Sequence, residues 1–318
     1  MLRITESKNA RGAIKYFDAE LSRGDYYADK GNLAGIWGGR FAEALGLTGE
    51  VGREAFAALA NNLHPETGEQ LTANMKENRR SGYDFTVSAP KSVTAFYEYL
   101  RATGEHTKAD AVLAAMQRAN RDMMGAGERD MQARVRDNGQ NFDRTTGNIA
   151  YGAFTHFQAR PVDGYADPHL HIHNFVFNAT RDGETTKAGQ FGAIKAAGNY
   201  YQALFDDRLA ASLQAMGYAT EREGLSFELQ GVERSTVEKY SRRTDQVEKE
   251  AAALPGASAK QKARLGARTR AAKDEGLSPE ETRDRFFARL NDAERDTLAR
   301  IASGGAFPPS GGNAKEAL

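Results

Sequence analysis

The sequence predicts an α+β fold, with a central antiparallel sheet flanked by helices and a mostly helical C-terminal segment. Three observations predict it. Residues 83–88, 148–157 and 169–179 alternate with period two and read as strands. The last two are joined by a loop carrying Pro161, Gly164 and Pro168, which suits neighbouring strands paired as a hairpin. Apolar residues at helical spacing fill most of the remaining chain.

Taken in order, 7–22 is helical, with Ala10, Ile14, Phe17 and Leu21 on one face. Gly24 ends it, and Asp25-Tyr26-Tyr27 follows in a loop or turn. A short helix is expected over 51–62, and His64-Pro65-Glu66-Thr67-Gly68 reads as a turn. The strand 83–88 runs into Pro90, a good first helical residue, and a helix to about Leu100. A longer helix covers about 107–124. After the strands at 148–157 and 169–179, Gly183 marks a turn. A helix is expected from about Ala193 to Met216, then a strand pair around Tyr218 and Phe227. From 232 the pattern is helical, broken at Pro255-Gly256 and restarted at Ser278-Pro279-Glu280-Glu281. There Ser is the N-cap, Pro opens the first turn, and the acids meet the positive end of the dipole. The tail after Ser303 is rich in Gly, Pro and polar residues and reads as linker or disorder. The expected division is 1–230 for the sheet-containing part, 231–302 for a helical C-terminal segment and 303–318 for a flexible tail.

Composition excludes several classes. With 318 residues, 40% hydrophobic and 27% charged, the chain suits a globular protein. It has no cysteine, so disulfides and thiolate metal sites are ruled out. No apolar run reaches the ~20 residues needed to span a bilayer, and no signal peptide opens the chain, so a cytoplasmic location is expected. Formal net charge is zero, yet 234–273 holds eleven basic residues against four acidic ones. That local excess suits either several phosphates or a solvated helical face.

Four of the six histidines lie within eighteen residues: His156, His169, His171 and His173. Residues two apart on a strand point to the same side, so His169, His171 and His173 share a face. Pairing with the preceding strand brings His156 beside them. Three imidazoles from two adjacent strands make a metal site with open positions. The spacing alone also suits a cupin-type oxygenase or a zinc hydrolase. Tyr16, Tyr26 and Tyr27 lie near the N-terminus. A phenol has a pKa of ~10 and becomes a useful nucleophile only with a base or a metal nearby. Attack on a phosphodiester by phenoxide exchanges one phosphoester for another, so the break can be resealed. Packing is the ordinary role of such tyrosines.

Five segments together identify a family. They are Tyr16-Phe17 with Asp25-Tyr26-Tyr27; Trp37-Gly38-Gly39 running to Ala44-Leu45-Gly46-Leu47-Thr48-Gly49-Glu50-Val51; and Gly82-Tyr83-Asp84-Phe85-Thr86-Val87-Ser88-Ala89-Pro90-Lys91-Ser92. The fourth runs from Thr146-Gly147-Asn148 through His156 to Asp167-Pro168-His169-Leu170-His171-Ile172-His173, and the fifth is Tyr240-Ser241-Arg242-Arg243-Thr244-Asp245-Gln246. In this order and spacing, over nearly 250 residues, the sequence resembles the relaxases of conjugative plasmids, the TraI/TrwC-like (MobF) class of HUH endonucleases.

The resemblance implies an HUH/Rep-like palm closed by a helical flap. It implies a site- and strand-specific endonuclease that nicks single-stranded DNA at a transfer origin and keeps the 5′-phosphate on tyrosine. Tyr16 matches the first nucleophile, Tyr26 the second, with Tyr27 its neighbour. His156, His171 and His173 match the metal ligands. Asp84 matches an acid that orients a histidine or accepts the tyrosine proton. The implied metal is Mg²⁺ or Mn²⁺, although imidazoles also favour Ni²⁺ and Zn²⁺. Lys91 at a helix start and Arg242 and Arg243 in the basic stretch are expected to contact DNA, and Trp37 is either a base-stacking residue or a core anchor. Expected partners are the origin DNA, a helicase domain and accessory relaxosome proteins. The sequence departs from the family pattern at Phe17, where relatives often have tyrosine, and at His169, where they usually have a non-ligand; His169 is expected either to support the ligands from behind or to compete with His173 for the metal. The 156–171 loop is also longer than usual. A rolling-circle replication initiator shares the histidine and tyrosine chemistry, but there the tyrosine usually follows the histidines.

Overall fold

The computed structural model describes residues 2–21, 33–76, 78–252 and 278–305. Tyr26, Tyr27, the Pro255-Gly256 break, the basic residues from Lys260 to Lys273 and most of the C-terminal tail lie outside these ranges.

In chain order the elements begin with β1 (Arg3–Ser7), α1 (Ala10–Leu21), β2 (Ile36–Gly38), α2 (Arg40–Ala44), α3 (Arg53–Ala60) and β3 (Gly82–Ser88). Next come α4 (Lys91–Ala102), α5 (His106–Arg129), β4 (Gln132–Asp137), β5 (Gln140–Thr145), β6 (Tyr151–Gln158) and β7 (Pro168–Phe177). Then follow β8 (Thr180–Asp182), β9 (Thr185–Lys187), β10 (Gly189–Gln190), α6 (Gly192–Ala196), α7 (Gly198–Ala215), β11 (Thr220–Glu223) and β12 (Ser226–Leu229). The helices α8 (Arg234–Lys239), α9 (Arg242–Ala252), α10 (Pro279–Arg289) and α11 (Asp292–Ala302) complete the described chain.

The main sheet has five strands in the order β1-β3-β7-β6-β2. β3 pairs antiparallel with β1 and with β7, and β2 pairs antiparallel with β6. β6 and β7 form the expected hairpin: Ala159 N–H donates to the Asp167 carbonyl, and Phe177 N–H to that of Ala150. The sequence reading had one helix over 193–216; the structure has two, α6 and α7, meeting at Ala197-Gly198. The β4–β5 pair was not anticipated. Every position of β5 is exposed, so it carries no apolar alternation to read.

The chain forms two compact units. One comprises Met1–Ser88, Gln117–His156 and His171–Arg208; the other comprises Ala89–Met116, Phe157–Leu170 and Leu209–Leu318. These units interleave along the chain, unlike the contiguous division expected at residue 230.

In the first unit each face of the sheet has its own core. On one side Phe17 of α1 stacks on Phe154 with centroids 4.7 Å apart and meets Phe175 and Phe56 edge-on or tilted. Phe17 is 1% exposed. Such burial is worth roughly 2–3 kcal/mol. Trp37 belongs to this core and lies 5.9 Å from the Phe177 ring, so it is an anchor and not an open stacking surface. On the other face Phe85, Ile149 and Val176 pack with Met123 and Met124 of α5, Ile194 of α6 and Tyr201 of α7. There Asn174 and Asn120, both buried, exchange two 2.8 Å side-chain hydrogen bonds and so satisfy each other.

In the second unit α4 is the hub. Glu228 of β12 accepts from the backbone N–H of Ser92, and Ser92 Oγ accepts from the N–H of Leu229. Thus an acid from the same unit already fills the anion slot at this helix start. α10 begins with a complete capping box, Ser278 and Glu281 each accepting from the other's backbone N–H.

Candidate active site

Strand β7 reads His171, His173, Phe175, Phe177 along one face, because alternate residues point to the same side. The phenyl half enters the core under α1 and α3. The imidazole half continues the same face beyond that core. Phe154 and His156, two residues apart on β6, repeat the pattern. The neighbouring strand therefore supplies a phenyl to the apolar half and an imidazole to the polar half.

His156, His171 and His173 form a nearly equilateral triangle, with ring centroids 5.0–5.1 Å apart. One ring nitrogen from each lies within 4.8 Å of the others. His171 and His173 are each buried, at 8% exposure. Three neutral imidazoles converging in this way suit a divalent transition metal with coordination positions left over.

The residues on β3 fit this role. The register sets Thr86 opposite His173 and Asp84 opposite Phe175. His173 Nδ1 donates to Asp84 Oδ2 at 2.8 Å, which leaves Nε2 as the ligand atom. Thr86 Oγ1 lies 3.1 Å from the same Nδ1 and donates to Asp84 Oδ2 at 3.3 Å. The Asp84 Oδ1 atom is buried with no hydrogen-bond partner among the described residues. A carboxylate held against a ligating imidazole is the usual second partner of a metal-binding histidine. The residues present therefore fit a bound divalent cation.

Tyr16 completes the group. Its hydroxyl lies 3.4 Å from His173 Nε2, and its ring meets His173 edge-on at 5.7 Å. Residue 17, one step round α1, points into the core instead. The helix thus presents one phenol to the triad and one phenyl to the phenylalanine cluster.

Five sequence-predicted residues, Tyr16, Asp84, His156, His171 and His173, come together in one unit. His169 is not a member of the cluster, so of the four clustered histidines three converge. Tyr26 and Tyr27 lie outside the described residues. Lys91, expected at the DNA, is engaged within the protein: its Nζ donates to the Pro168 carbonyl at 2.8 Å, and burial pulls its pKa down to about 8. Arg242 is also engaged within the protein. Its Nε binds Asp167 at 3.0 Å, its terminal nitrogens donate to the Val162 and Tyr165 carbonyls, and its guanidinium stacks 3.5 Å from the Tyr165 ring centre. Asp167, 3% exposed, also accepts from Arg289. A buried carboxylate has a stronger claim on these donors than a solvated phosphate. Arg243 is paired with Gln246. Sequence reasoning missed Thr86, although its place two residues from Asp84 on a strand was the available signal. It also missed Arg285, whose guanidinium covers Tyr165 at 3.6 Å and which nothing local in sequence connects to that ring.

Known proteins share this fold. The fold is similar to the solved structure of conjugative relaxase TrwC in complex with oriT DNA in its copper-bound form. The TM-score is 0.77 and identity 28%, over 95% of this chain and 99% of that one. A metal-bound structure of the same TrwC–DNA complex matches with TM-score 0.75 and 28% identity, again over 95% and 99% of the two chains. The multifunctional conjugation protein TraI of Escherichia coli (strain K12) is 32% identical over 247 residues, covering 71% of this chain. A second TraI from Escherichia coli is 31% identical over 244 residues. The chain spans 13% of the length of each of these two relatives. The TrwC relaxase family model matches residues 10–293, a span that includes Tyr16, Asp84 and all three converging histidines, and the chain belongs to that family.

Proposed function

We propose that this chain nicks one strand of plasmid DNA at a transfer origin and holds the 5′ end as a phosphotyrosine on Tyr16. The observation that carries the reading is the 3.4 Å contact between the Tyr16 hydroxyl and His173 Nε2, at the edge of a three-histidine cluster. Tyr16 Oη attacks the scissile phosphorus, and the bond to the 3′ oxygen breaks. The phenol loses one proton and the leaving 3′ oxygen gains one. Phosphoester count is unchanged, so the reverse reaction reseals the strand.

His156, His171 and His173 would hold a divalent cation, Mg²⁺ or Mn²⁺. Its chemistry would be to polarise a non-bridging phosphate oxygen and stabilise charge in the transition state. Copper in a TrwC structure agrees with the affinity order of imidazole sites and does not identify the ion used in a cell. Asp84 orients His173. The Phe17 ring meets that of Tyr16 edge-on at 4.8 Å, and Tyr16 packs against the phenylalanine core.

The TrwC structures contain oriT DNA, one of them a 27-mer with a recognition hairpin and the cleavage site. Such a substrate is proposed for this chain. A helicase or accessory partner working with the nicking unit is proposed alongside; the matching TraI proteins are multifunctional conjugation proteins. No described helix is long and apolar enough to cross a membrane. The proposed location is the bacterial cytoplasm, where plasmid DNA lies. A rolling-circle initiator is the second reading, and the position of Tyr16 ahead of the histidines favours the relaxase.

Single-turnover reaction with a labelled single-stranded oligonucleotide tests the proposal. A covalent protein–DNA adduct should form with Mg²⁺ or Mn²⁺ and map to Tyr16. Cleavage that leaves no adduct would refute it.

A further inference from the structure

We propose that Thr86 is a positioning residue for His173: its hydroxyl, together with Asp84, locks the imidazole in the tautomer that directs the Nε2 lone pair into the histidine triad. The inference rests on the reading of that triad as a cation site, and it adds a residue to which neither fold nor spacing had given a role.

The proton inventory carries the argument. Asp84 Oδ2 receives His173 Nδ1 at 2.8 Å and Thr86 Oγ1 at 3.3 Å. An ionised carboxylate only accepts, so Nδ1 must carry a hydrogen. Thr86 Oγ1 stands 3.1 Å from that nitrogen. Its single hydrogen goes to Asp84, so its lone pair faces the Nδ1–H and shares it. Three atoms thus close a ring of hydrogen bonds with one consistent assignment. Nδ1 is protonated, and Nε2 is left with its lone pair on the Tyr16 side. The strand register makes this possible, since Thr86 is the direct cross-strand neighbour of His173.

The Thr86 hydroxyl matters because Asp84 has few donors. Its Oδ1 is buried and has no partner among the described residues. Without the hydroxyl, Asp84 would be held by His173 alone. The carboxylate could then rotate to satisfy Oδ1, which would weaken the Nδ1–H contact and admit the other tautomer. That tautomer places a hydrogen on Nε2, where a metal needs a lone pair. Loss of a partner of this kind typically lowers metal affinity about 10–100-fold.

The test compares the full chain with Thr86→Val, which keeps the branched shape without the hydroxyl, and Thr86→Ser, which keeps the hydroxyl. Mn²⁺ alone is titrated by calorimetry, and ¹⁵N shifts of the metal-free protein report the His173 tautomer. Thr86→Val should bind Mn²⁺ at least about tenfold more weakly and show mixed tautomers, whereas Thr86→Ser should stay near wild type in both. Thr86→Ala serves the same purpose if the valine variant does not fold. Wild-type affinity together with an unchanged tautomer in Thr86→Val would overturn the proposal. If the wild-type chain bound no Mn²⁺, the cation reading would fail instead, and the tautomer alone would decide the role of Thr86.

Discussion

Tyr16 and Phe17 are adjacent in sequence and opposite in fate. A helix turns about 100° per residue. That rotation places Tyr16 beside His173 and Phe17 against Phe154 and Phe175. Tyr16→Phe should abolish covalent capture of a labelled oligonucleotide while leaving Mn²⁺ binding near wild type, read by denaturing gel and calorimetry. Adding Phe17→Tyr to that variant should not restore capture, because the new hydroxyl would lie within a phenylalanine core. Recovery of the adduct would show that α1 can rotate. His171→Ala should remove calorimetric metal binding, and unchanged stoichiometry would remove His171 from the ligand set. The residue types at this site were legible early: the alternation of His171 and His173 and the helical phase of Phe17 both follow from local geometry. His169 was not resolvable that way. It satisfies the same alternation as His171 and His173, and only the place where the three rings converge separates it from them.

At the scale of elements, the start of α4 shows what a local motif leaves open. Its Lys91-Ser92 pair suits either a phosphate or a simple strand-to-helix turn. In the folded chain that start is occupied by Glu228 and by the contact from Lys91 to Pro168. Lys91→Ala should therefore lower the melting temperature without changing the salt dependence of oligonucleotide binding. A true phosphate contact would reduce the logarithmic salt slope by about one. The same helix carries Glu98, buried beside Arg283 of α10 at 3.5 Å. Burial outweighs the attraction of Arg283 and Arg101 and raises its pKa from 4.5 to about 7. Across that window the folded state retains a proton that the unfolded state has lost. Stability from this group is thus greatest below the lower value and declines as pH rises to about 7. Glu98→Gln should flatten the decline, measured as the wild-type-minus-variant difference in unfolding free energy from acid to neutral pH. A constant difference would show that Glu98 titrates normally. The long strands β3, β6 and β7 were visible in sequence. The β4–β5 ribbon was not: β5 is exposed throughout, with Phe142 at 47%, and β4 buries only Ala133 and Val135 among polar residues.

For the whole molecule, formal neutrality hides a division of labour among charges. Arg242 and Arg289 neutralise Asp167 inside the second unit, and Lys239 binds Glu294 at 2.7 Å. The basic count of the C-terminal stretch therefore overstates what remains for DNA. Nicking should require single-stranded or melted substrate, and an intact linear duplex of the same sequence should survive the incubation. Chelation should stop nicking while oligonucleotide binding persists in a gel-shift assay, because the cation would engage the scissile phosphate and not the rest of the strand. Equal cutting of the duplex would contradict the proposed reaction.

By itself the sequence determined the three central strands β3, β6 and β7, the shared face of His171 and His173, and the amphipathic phase of α1, but not the edge strands β1 and β2. These properties depend on repeats of two and 3.6 residues and need no distant partner. Tertiary structure alone decided which three histidines converge, that Thr86 and Asp84 meet His173, and that Lys91 and Arg242 bind inward. Those outcomes depend on register between strands and on contacts between residues more than seventy positions apart, where no local period carries information.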